Sequence, residues 1–182
     1  MAFLFATEAS SQEEEIKLSL DKLFNLKVTS VSGTAMDMKK SPAAIYVITS
    51  EDFKKQGHLK VSDAWRAVPG FHVSTIDSNR VAVTSRGFTG RFANKLLVLI
   101  DGRSVYTPLF AGVFWEFQDM ILEDIDRIEV IRGPGATLWG ANAVNGVINI
   151  VTKSSRETQG GYLRLGIGTI EQGYGDLRYG DQ

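Results

Sequence analysis

The sequence predicts an α+β fold, with strands and short helices mixed along a chain of 182 residues. The main observation is the run from Asp124 to Lys153, in which a strand, a glycine-rich turn and a second apolar strand follow one another. A second observation is a pair of short helical segments upstream, each starting at a polar residue. Composition agrees, since a chain that is 43% hydrophobic suffices for one compact core and leaves little for a second.

Charge and residue types exclude several classes of function. A net charge of −1 lacks the basic excess that a general nucleic-acid surface needs, so we expect no nucleic-acid partner. The chain has no cysteine, which removes disulfides, thiolate zinc sites and thiol nucleophiles, and its 2 histidines are too few for a multi-histidine metal site. No Ser-His-Asp set, paired-carboxylate motif or metal cluster can be assembled, so we expect neither an enzyme nor a bound cofactor.

The first predicted elements are two short helices. Thr49 and Asp52 have the spacing of a capping box, so a helix is expected over residues 50–55. Residues 62–68 predict a second helix, with Ser62 as its cap.

Two strand pairs follow the helices. Residues 71–76 and 81–84 are expected to be strands joined by a polar turn. Residues 95–106 form the clearest hairpin, because Asp101-Gly102 supplies the two residues that a primed turn requires. A surface loop is expected over residues 107–115.

The glycine-rich run closes the domain. Ile128 and Val130 alternate with charged residues such as Glu129, which predicts a half-buried strand. Gly133-Pro134-Gly135 ends that strand, and its glycine spacing fits neither a dinucleotide fingerprint nor a phosphate loop. The apolar run at residues 147–151 shows little alternation, which indicates a strand buried on both faces.

In this order the motifs resemble the plug domain of TonB-dependent outer-membrane receptors, the gated barrels that take up scarce nutrients. The motifs are VPGF at residues 68–71, SRGF at residues 85–88, LLVLIDGRSVY at residues 96–106 and DIDRIEVIRGPGATLWGANAVNGVINIVTK at residues 124–153. The resemblance covers residues 26–153. It implies a mixed central β-sheet with short helices, in a plug domain over residues 25–155.

The two ends of the chain carry different patterns. Residues 162–169 alternate apolar with polar or small side chains, as a barrel strand does, and residues 174–179 continue as its antiparallel neighbour. Two strands cannot close a barrel, so we expect residues 156–182 to be the first strand or hairpin of a truncated transmembrane β-barrel. Residues 1–24 are expected to be a residual export signal or a flexible leader.

The resemblance also implies a location and partners. It implies the bacterial outer membrane, with the plug inside its barrel and facing the periplasm. The implied partners are the periplasmic domain of TonB, the protein's own barrel and a small nutrient, above all a ferric siderophore. In the family, arginines of the Arg-Gly motifs pair with glutamates on the barrel wall, which points to Arg86 and Arg132 as barrel-locking residues. An internal salt bridge with the plug's own acids, such as Glu129, is the alternative.

A coupling segment, the TonB box, is expected on the N-terminal side of the plug, where it would add a strand to the sheet edge of TonB. The candidate residues are Leu26, Lys27, Val28, Thr29, Ser30 and Val31. The alternative is that this run is an edge strand of the plug itself.

Outward-facing plug loops supply the ligand contacts in this family. The candidates here are Arg80, Arg91, Tyr106, Phe110 and Trp115, a set that suits an anionic, aromatic ligand. The same aromatics suit packing against barrel loops or in the plug core. A free-standing periplasmic binding or interaction module with the plug fold and no barrel is the alternative function, and the exposed apolar alternation near the C-terminus counts against it.

Overall fold

The computed structural model describes residues 27–28, 36–37, 44–77, 80–87, 90–110, 112–133, 139–140, 142–169 and 172–181. Its centre is a five-stranded sheet. In spatial order the strands are β3 (Ala44–Thr49), β8 (Ile125–Arg132), β9 (Gly146–Thr152), β6 (Leu96–Ile100) and β7 (Arg103–Ser104). The leader predicted for residues 1–24 lies outside the described residues.

Three two-stranded sheets accompany the central sheet. They pair β1 (Lys27–Val28) with β2 (Met36–Asp37), β4 (Phe71–Thr75) with β5 (Val81–Ser85), and β10 (Gly160–Gly166) with β11 (Tyr174–Gly180), all antiparallel. Among the described residues, the helical elements include α1 (Ser50–Gln56), α2 (Val61–Ala64) and 3₁₀ turns at Trp65–Ala67, Trp115–Phe117 and Leu122–Asp124. No helix in the described ranges is long and apolar enough to cross a membrane.

The central sheet is mixed, as the plug resemblance implied. β6 and β9 run parallel and place Val98 beside Ile148, whereas the other neighbouring strands run antiparallel. A parallel pair needs a long connection. Here that connection contains β8, which lies on the far side of β9.

Both faces of the central sheet are covered. The main core lies on one face and includes Ile128 and Ile148, while a smaller cluster on the other face includes Ile131 and Val147. The prediction that β9 is buried on both faces is confirmed. The prediction of a half-buried β8 is wrong, because Glu129 and Ile131, on its second face, are also buried. Charge alternation is a poor guide to exposure here, since Glu129 is buried with an ion-pair partner.

The capping box that starts α1 is confirmed. The Thr49 hydroxyl accepts a hydrogen bond from the Asp52 N–H at 3.4 Å, and the Asp52 carboxylate accepts one from the Thr49 N–H at 2.8 Å. These bonds satisfy two donors that the first helical turn leaves without a partner. The helix ends at Gly57, whose φ of 66° is the left-handed conformation that glycine adopts at low cost.

The second helix starts one residue earlier than predicted, and its serine cap is wrong. Lys60 occupies the cap position of α2. The carboxylate of Asp63 accepts hydrogen bonds from the N–H groups of Lys60 and Leu59, at 3.1 and 3.3 Å. Because Asp63 already serves the free donors at this end, the helix does not need the hydroxyl of Ser62 as a cap.

Both predicted plug hairpins are present. β4 and β5 pair along their whole length, from Phe71 opposite Ser85 to Thr75 opposite Val81. The Asp101-Gly102 turn between β6 and β7 has φ values of 48° and 77°, as a type I′ turn requires. β7 is shorter than the sequence suggested.

The C-terminal hairpin shows the predicted alternation. On the outer face of β10 and β11 lie Leu163, Leu165, Leu177 and Tyr179, which are all exposed. On the inner face lie half-buried side chains that include Tyr162, Arg164 and Arg178. Successive residues of a strand point to opposite faces, so the hairpin has one apolar surface and one mostly polar surface.

Candidate functional site

The two Arg-Gly turns of the sequence meet in space. Arg86 and Gly87 form the turn after β5, with φ values of 59° and 81°. Arg132 and Gly133 end β8. A Cβ atom added to Gly133 would lie 3.6 Å from Nη2 of Arg86, so the Arg86 side chain runs directly beside the second turn. Two arginines that are distant in sequence therefore occupy one end of the plug.

Asn145 holds these two turns together. Its side-chain amide donates a hydrogen bond to the main-chain carbonyl oxygen of Ser85 at 3.2 Å. Its own main-chain carbonyl oxygen accepts one from the N–H of Gly133 at 3.2 Å. Its own N–H donates to the carbonyl oxygen of Lys95 at 2.9 Å. Asn145 is buried, and sequence reasoning missed its role because the Asn145-Gly146 pair indicated only a link between strands.

Internal acids do not neutralise the two candidate locking arginines in the described part of the chain. Glu129 is fully buried, and its carboxylate pairs with Nε of Arg127 at 2.9 Å. Arg127 also reaches Asp126 at 2.5 Å. Among the described residues neither Arg86 nor Arg132 pairs with a carboxylate, and Nε of Arg132 is buried without a hydrogen-bond partner. The alternative of a salt bridge from these arginines to Glu129 is therefore not observed.

Of the candidate coupling segment, the structure describes Lys27 and Val28, and Val28 packs against the plug. Val28 pairs with Met36, and its side chain is fully buried in the smaller core cluster, with Ile45, Val47 and Val147 among its members. Of the other candidates, the backbone of Lys27 lies in β1, whereas Leu26, Thr29, Ser30 and Val31 lie outside the described residues. β1 is thus a two-residue strand that packs against the plug core through Val28.

The two loop arginines lie in different settings. Arg80 is exposed and pairs with Asp77 within its own turn, at 3.3 Å. Arg91 pairs with Glu116 at 2.8 Å, and its guanidinium lies over two aromatic rings. Arg91 therefore remains in an aromatic environment even though its charge is balanced.

A connected aromatic cluster surrounds Arg91. The cluster consists of Phe92, Phe110, Phe114 and Phe117, with successive ring centroids 4.9 to 6.1 Å apart. Phe110 is 51% exposed and Phe117 is 76% exposed. These contacts are mostly edge-to-face, the arrangement that aromatic quadrupoles favour. Through Phe110 and Phe117 the cluster presents an aromatic surface to solvent.

Two other aromatic candidates are less accessible. Trp115 is only 6% exposed, and its ring lies 5.2 Å from that of Trp65 inside the main core. Its neighbour Val113 is fully buried as well, so the end of the expected surface loop is part of the core. Tyr106 is half-buried. In the described ranges no group of His, Asp and Glu has the arrangement of a metal site.

A solved outer membrane receptor contains the same fold. The pyoverdine outer membrane receptor FpvA from Pseudomonas aeruginosa, bound to pyoverdine, matches 84% of this chain and 21% of its own, with a TM-score of 0.65 and 23% identity. The TonB-dependent Receptor Plug Domain family matches residues 37–147. The chain belongs to this family.

Relatives by sequence are receptors and transporters. The iron-regulated outer membrane virulence protein of Vibrio cholerae is 33% identical over 170 residues, which are 90% of this chain and 24% of the relative. The vitamin B12 transporter BtuB of Vibrio vulnificus is 33% identical over 132 residues, which are 71% of this chain and 21% of the relative. The ferric enterobactin receptor PirA of Pseudomonas aeruginosa is 28% identical over 151 residues, which are 77% of this chain and 20% of the relative.

These relatives bear out several predictions. The chain spans about a quarter of the length of the curated relatives it matches. It is a receptor domain and not an enzyme, and the predicted location in the bacterial outer membrane is confirmed.

Proposed function

We propose that this chain is the gating plug of a TonB-dependent receptor for the active uptake of a scarce nutrient, and that this nutrient is a ferric siderophore and not cobalamin. The aromatic cluster around Arg91 carries this choice, because stacked rings beside a guanidinium suit an anionic, aromatic iron chelate. The relatives named for iron regulation and ferric enterobactin support it, while the vitamin B12 transporter among them supports the other ligand class.

The ligand surface that we propose comprises Arg80, Arg91, Tyr106 and Phe110, together with the exposed ring of Phe117. Trp115 is left out, because its buried indole packs in the core. Arg91 has two functions in this proposal. It orients the aromatic rings through cation-π contacts, and it adds positive charge when a ligand anion competes for it with Glu116.

We also propose that Arg86 and Arg132 lock the plug to its barrel. Each guanidinium offers a planar pair of donors that matches a carboxylate. The lack of an internal carboxylate partner for either residue in the described ranges supports this role, as does the buried free Nε of Arg132. In this arrangement Asn145 aligns both arginines toward the same stretch of barrel wall.

Coupling to TonB is proposed for residues 26–31. Val28 must first leave the smaller core cluster, because its fully buried side chain and its pairing with β2 hold the segment against the plug. Burying a valine side chain contributes about 1.5–3 kcal/mol, so release is an uphill step of moderate size. In this proposal the coupling segment can bind TonB only after the Val28 side chain has left the smaller core cluster.

The proposed domain limits follow the same scheme. A leader occupies residues 1–24, the plug residues 25–155, and the first barrel hairpin residues 156–182. A free-standing periplasmic module is disfavoured, because such a module has no use for the apolar outer face of β10 and β11.

Calorimetric titration of the chain tests the ligand assignment. We expect heat from a ferric catecholate siderophore, weakened by Phe110→Ala and unchanged by Leu109→Ala, which truncates a neighbouring side chain that is more exposed and not aromatic. Binding of vitamin B12 in place of the iron chelate would assign the receptor to the other ligand class. An equal loss of siderophore binding in the two variants would show that the aromatic ring of Phe110 has no particular role.

A further inference from the structure

The turn Leu122–Asp124 lies among cations from three separate segments. Lys54 of α1 pairs with the Glu123 carboxylate at 3.0 Å, and Lys153, just after β9, donates to the Glu123 carbonyl oxygen at 2.7 Å. Arg178 of β11 pairs with the carboxylate of Asp124. Helix α1, the residue after β9 and the C-terminal hairpin therefore all meet at this turn.

A second contact joins the other strand of the hairpin to the plug. Nη2 of Arg164, on β10, donates to the carbonyl oxygen of His58 at 3.3 Å. Both arginines make cation-π contacts with tyrosine rings across the hairpin. Cζ of Arg164 lies 5.1 Å from the ring centroid of Tyr174, and Cζ of Arg178 lies 5.6 Å from that of Tyr162. The inner face thus presents two ordered cations to the plug.

These contacts lie where charge has a large effect. The side chains of Arg178 and Asp124 are 23% and 25% exposed, so solvent screens their attraction less than it screens a surface pair. Removing one partner leaves the other partly buried without its counter-charge. The outer face, in contrast, points away from the plug, with Leu165 71% exposed.

A two-stranded hairpin has little stability of its own in water. Its order in this chain must therefore come from the surface on which it lies. We propose that the turn Leu122–Asp124 is a docking site on which the first hairpin folds, with the Asp124–Arg178 ion pair as its central contact. This contact holds the plug against the hairpin independently of Arg86 and Arg132.

Hydrogen exchange of the chain in a zwitterionic detergent tests this docking site. The amides of β10 and β11 are expected to be protected in the native sequence. Arg178→Gln and Asp124→Asn should each lower that protection by about tenfold or more, as loss of a hydrogen bond between charged groups predicts. Arg156→Gln is the matched control, because Arg156 is exposed in the preceding turn.

Two further variants separate docking from general loss of structure. Arg178→Lys keeps the charge and should retain most of the protection, and Arg132→Gln should leave the hairpin unchanged. Protection of β8 and β9 reports that the plug stays folded. The proposal is overturned if the hairpin stays protected in Arg178→Gln and Asp124→Asn, or if Arg178→Lys loses as much protection as Arg178→Gln.

Discussion

The side chain of Asn145 donates a buried hydrogen bond to the carbonyl oxygen of Ser85, which lies 60 residues earlier in the chain. This bond connects the start of β9 to the end of β5, two strands that belong to different sheets. Because the main-chain carbonyl of Asn145 also accepts from the N–H of Gly133, this one residue links the two Arg-Gly turns.

Asn145→Ala should lower the free energy of unfolding by about 1–3 kcal/mol, because the Ser85 carbonyl stays buried without its donor. Urea denaturation measures the change. Asn94→Ala is the control at an exposed asparagine and should shift stability by less than about 0.5 kcal/mol. Equal effects of the two substitutions would show that the Asn145 bond contributes nothing particular.

Gly112 lies against the backbone of Phe92, and a Cβ atom there would come within 2.0 Å of the Phe92 carbonyl oxygen. Gly112→Ala should therefore destabilise the chain by about 1–3 kcal/mol, as overpacking does, and displace the aromatic cluster. Thermal unfolding and near-ultraviolet circular dichroism report these two effects. Gly90→Ala, at a glycine with open space around it, should leave both signals unchanged, and a neutral Gly112→Ala would contradict the close approach.

Val28 gives opposite predictions for two substitutions. Val28→Thr buries a hydroxyl group, weakens the smaller core cluster and should raise the affinity for the periplasmic domain of TonB by about tenfold, because more of the segment is free to bind. Val28→Pro should abolish binding, since proline lacks the N–H that a strand ladder needs. Calorimetric titration measures both affinities.

Val144→Thr is the control for the first of these substitutions, because Val144 is 44% exposed. Unchanged binding in both Val28→Thr and Val28→Pro would place the coupling segment outside residues 26–31. The plug fold would stand in that case, and only the coupling assignment would change.

Glu157 gives a prediction about pH. Its pKa is lowered because the N–H of Ser154 and then the Ser154 hydroxyl donate to its carboxylate, each at 2.9 Å. A lowered pKa in the folded state means that this turn is stabilised above the unfolded pKa and loses the contribution as pH falls through the folded one. Ser154→Ala should raise the pKa of Glu157 toward its ordinary value, as followed by nuclear magnetic resonance, whereas Ser155→Ala should not. An unchanged titration in Ser154→Ala would exclude the hydroxyl as a cause.

Sequence reasoning succeeded where the chemistry is local. The capping box of Thr49 and Asp52 and the Asp101-Gly102 turn depend on residues within one turn of each other, so their spacing alone predicts them. The strand β9 was also predictable, because its apolar run leaves no polar face.

Contacts between distant segments were not predictable in the same way. The burial of Glu129 depends on a second core cluster, and the burial of Trp115 depends on the ring of Trp65 far upstream. The burial of Val28 likewise depends on distant residues of the smaller core cluster, such as Val147. No periodicity within a short window carries information about a partner that lies tens of residues away.

The order of strands in the central sheet has a mechanical consequence. Among the described strands, β3 lies at one edge and pairs with β8 alone, whereas β9 lies between β8 and β6. Tension applied to the chain upstream of Ala44 is resisted by one ladder of hydrogen bonds, while tension applied downstream of Thr152 is resisted by two. The domain therefore yields more readily when it is pulled from its N-terminal side.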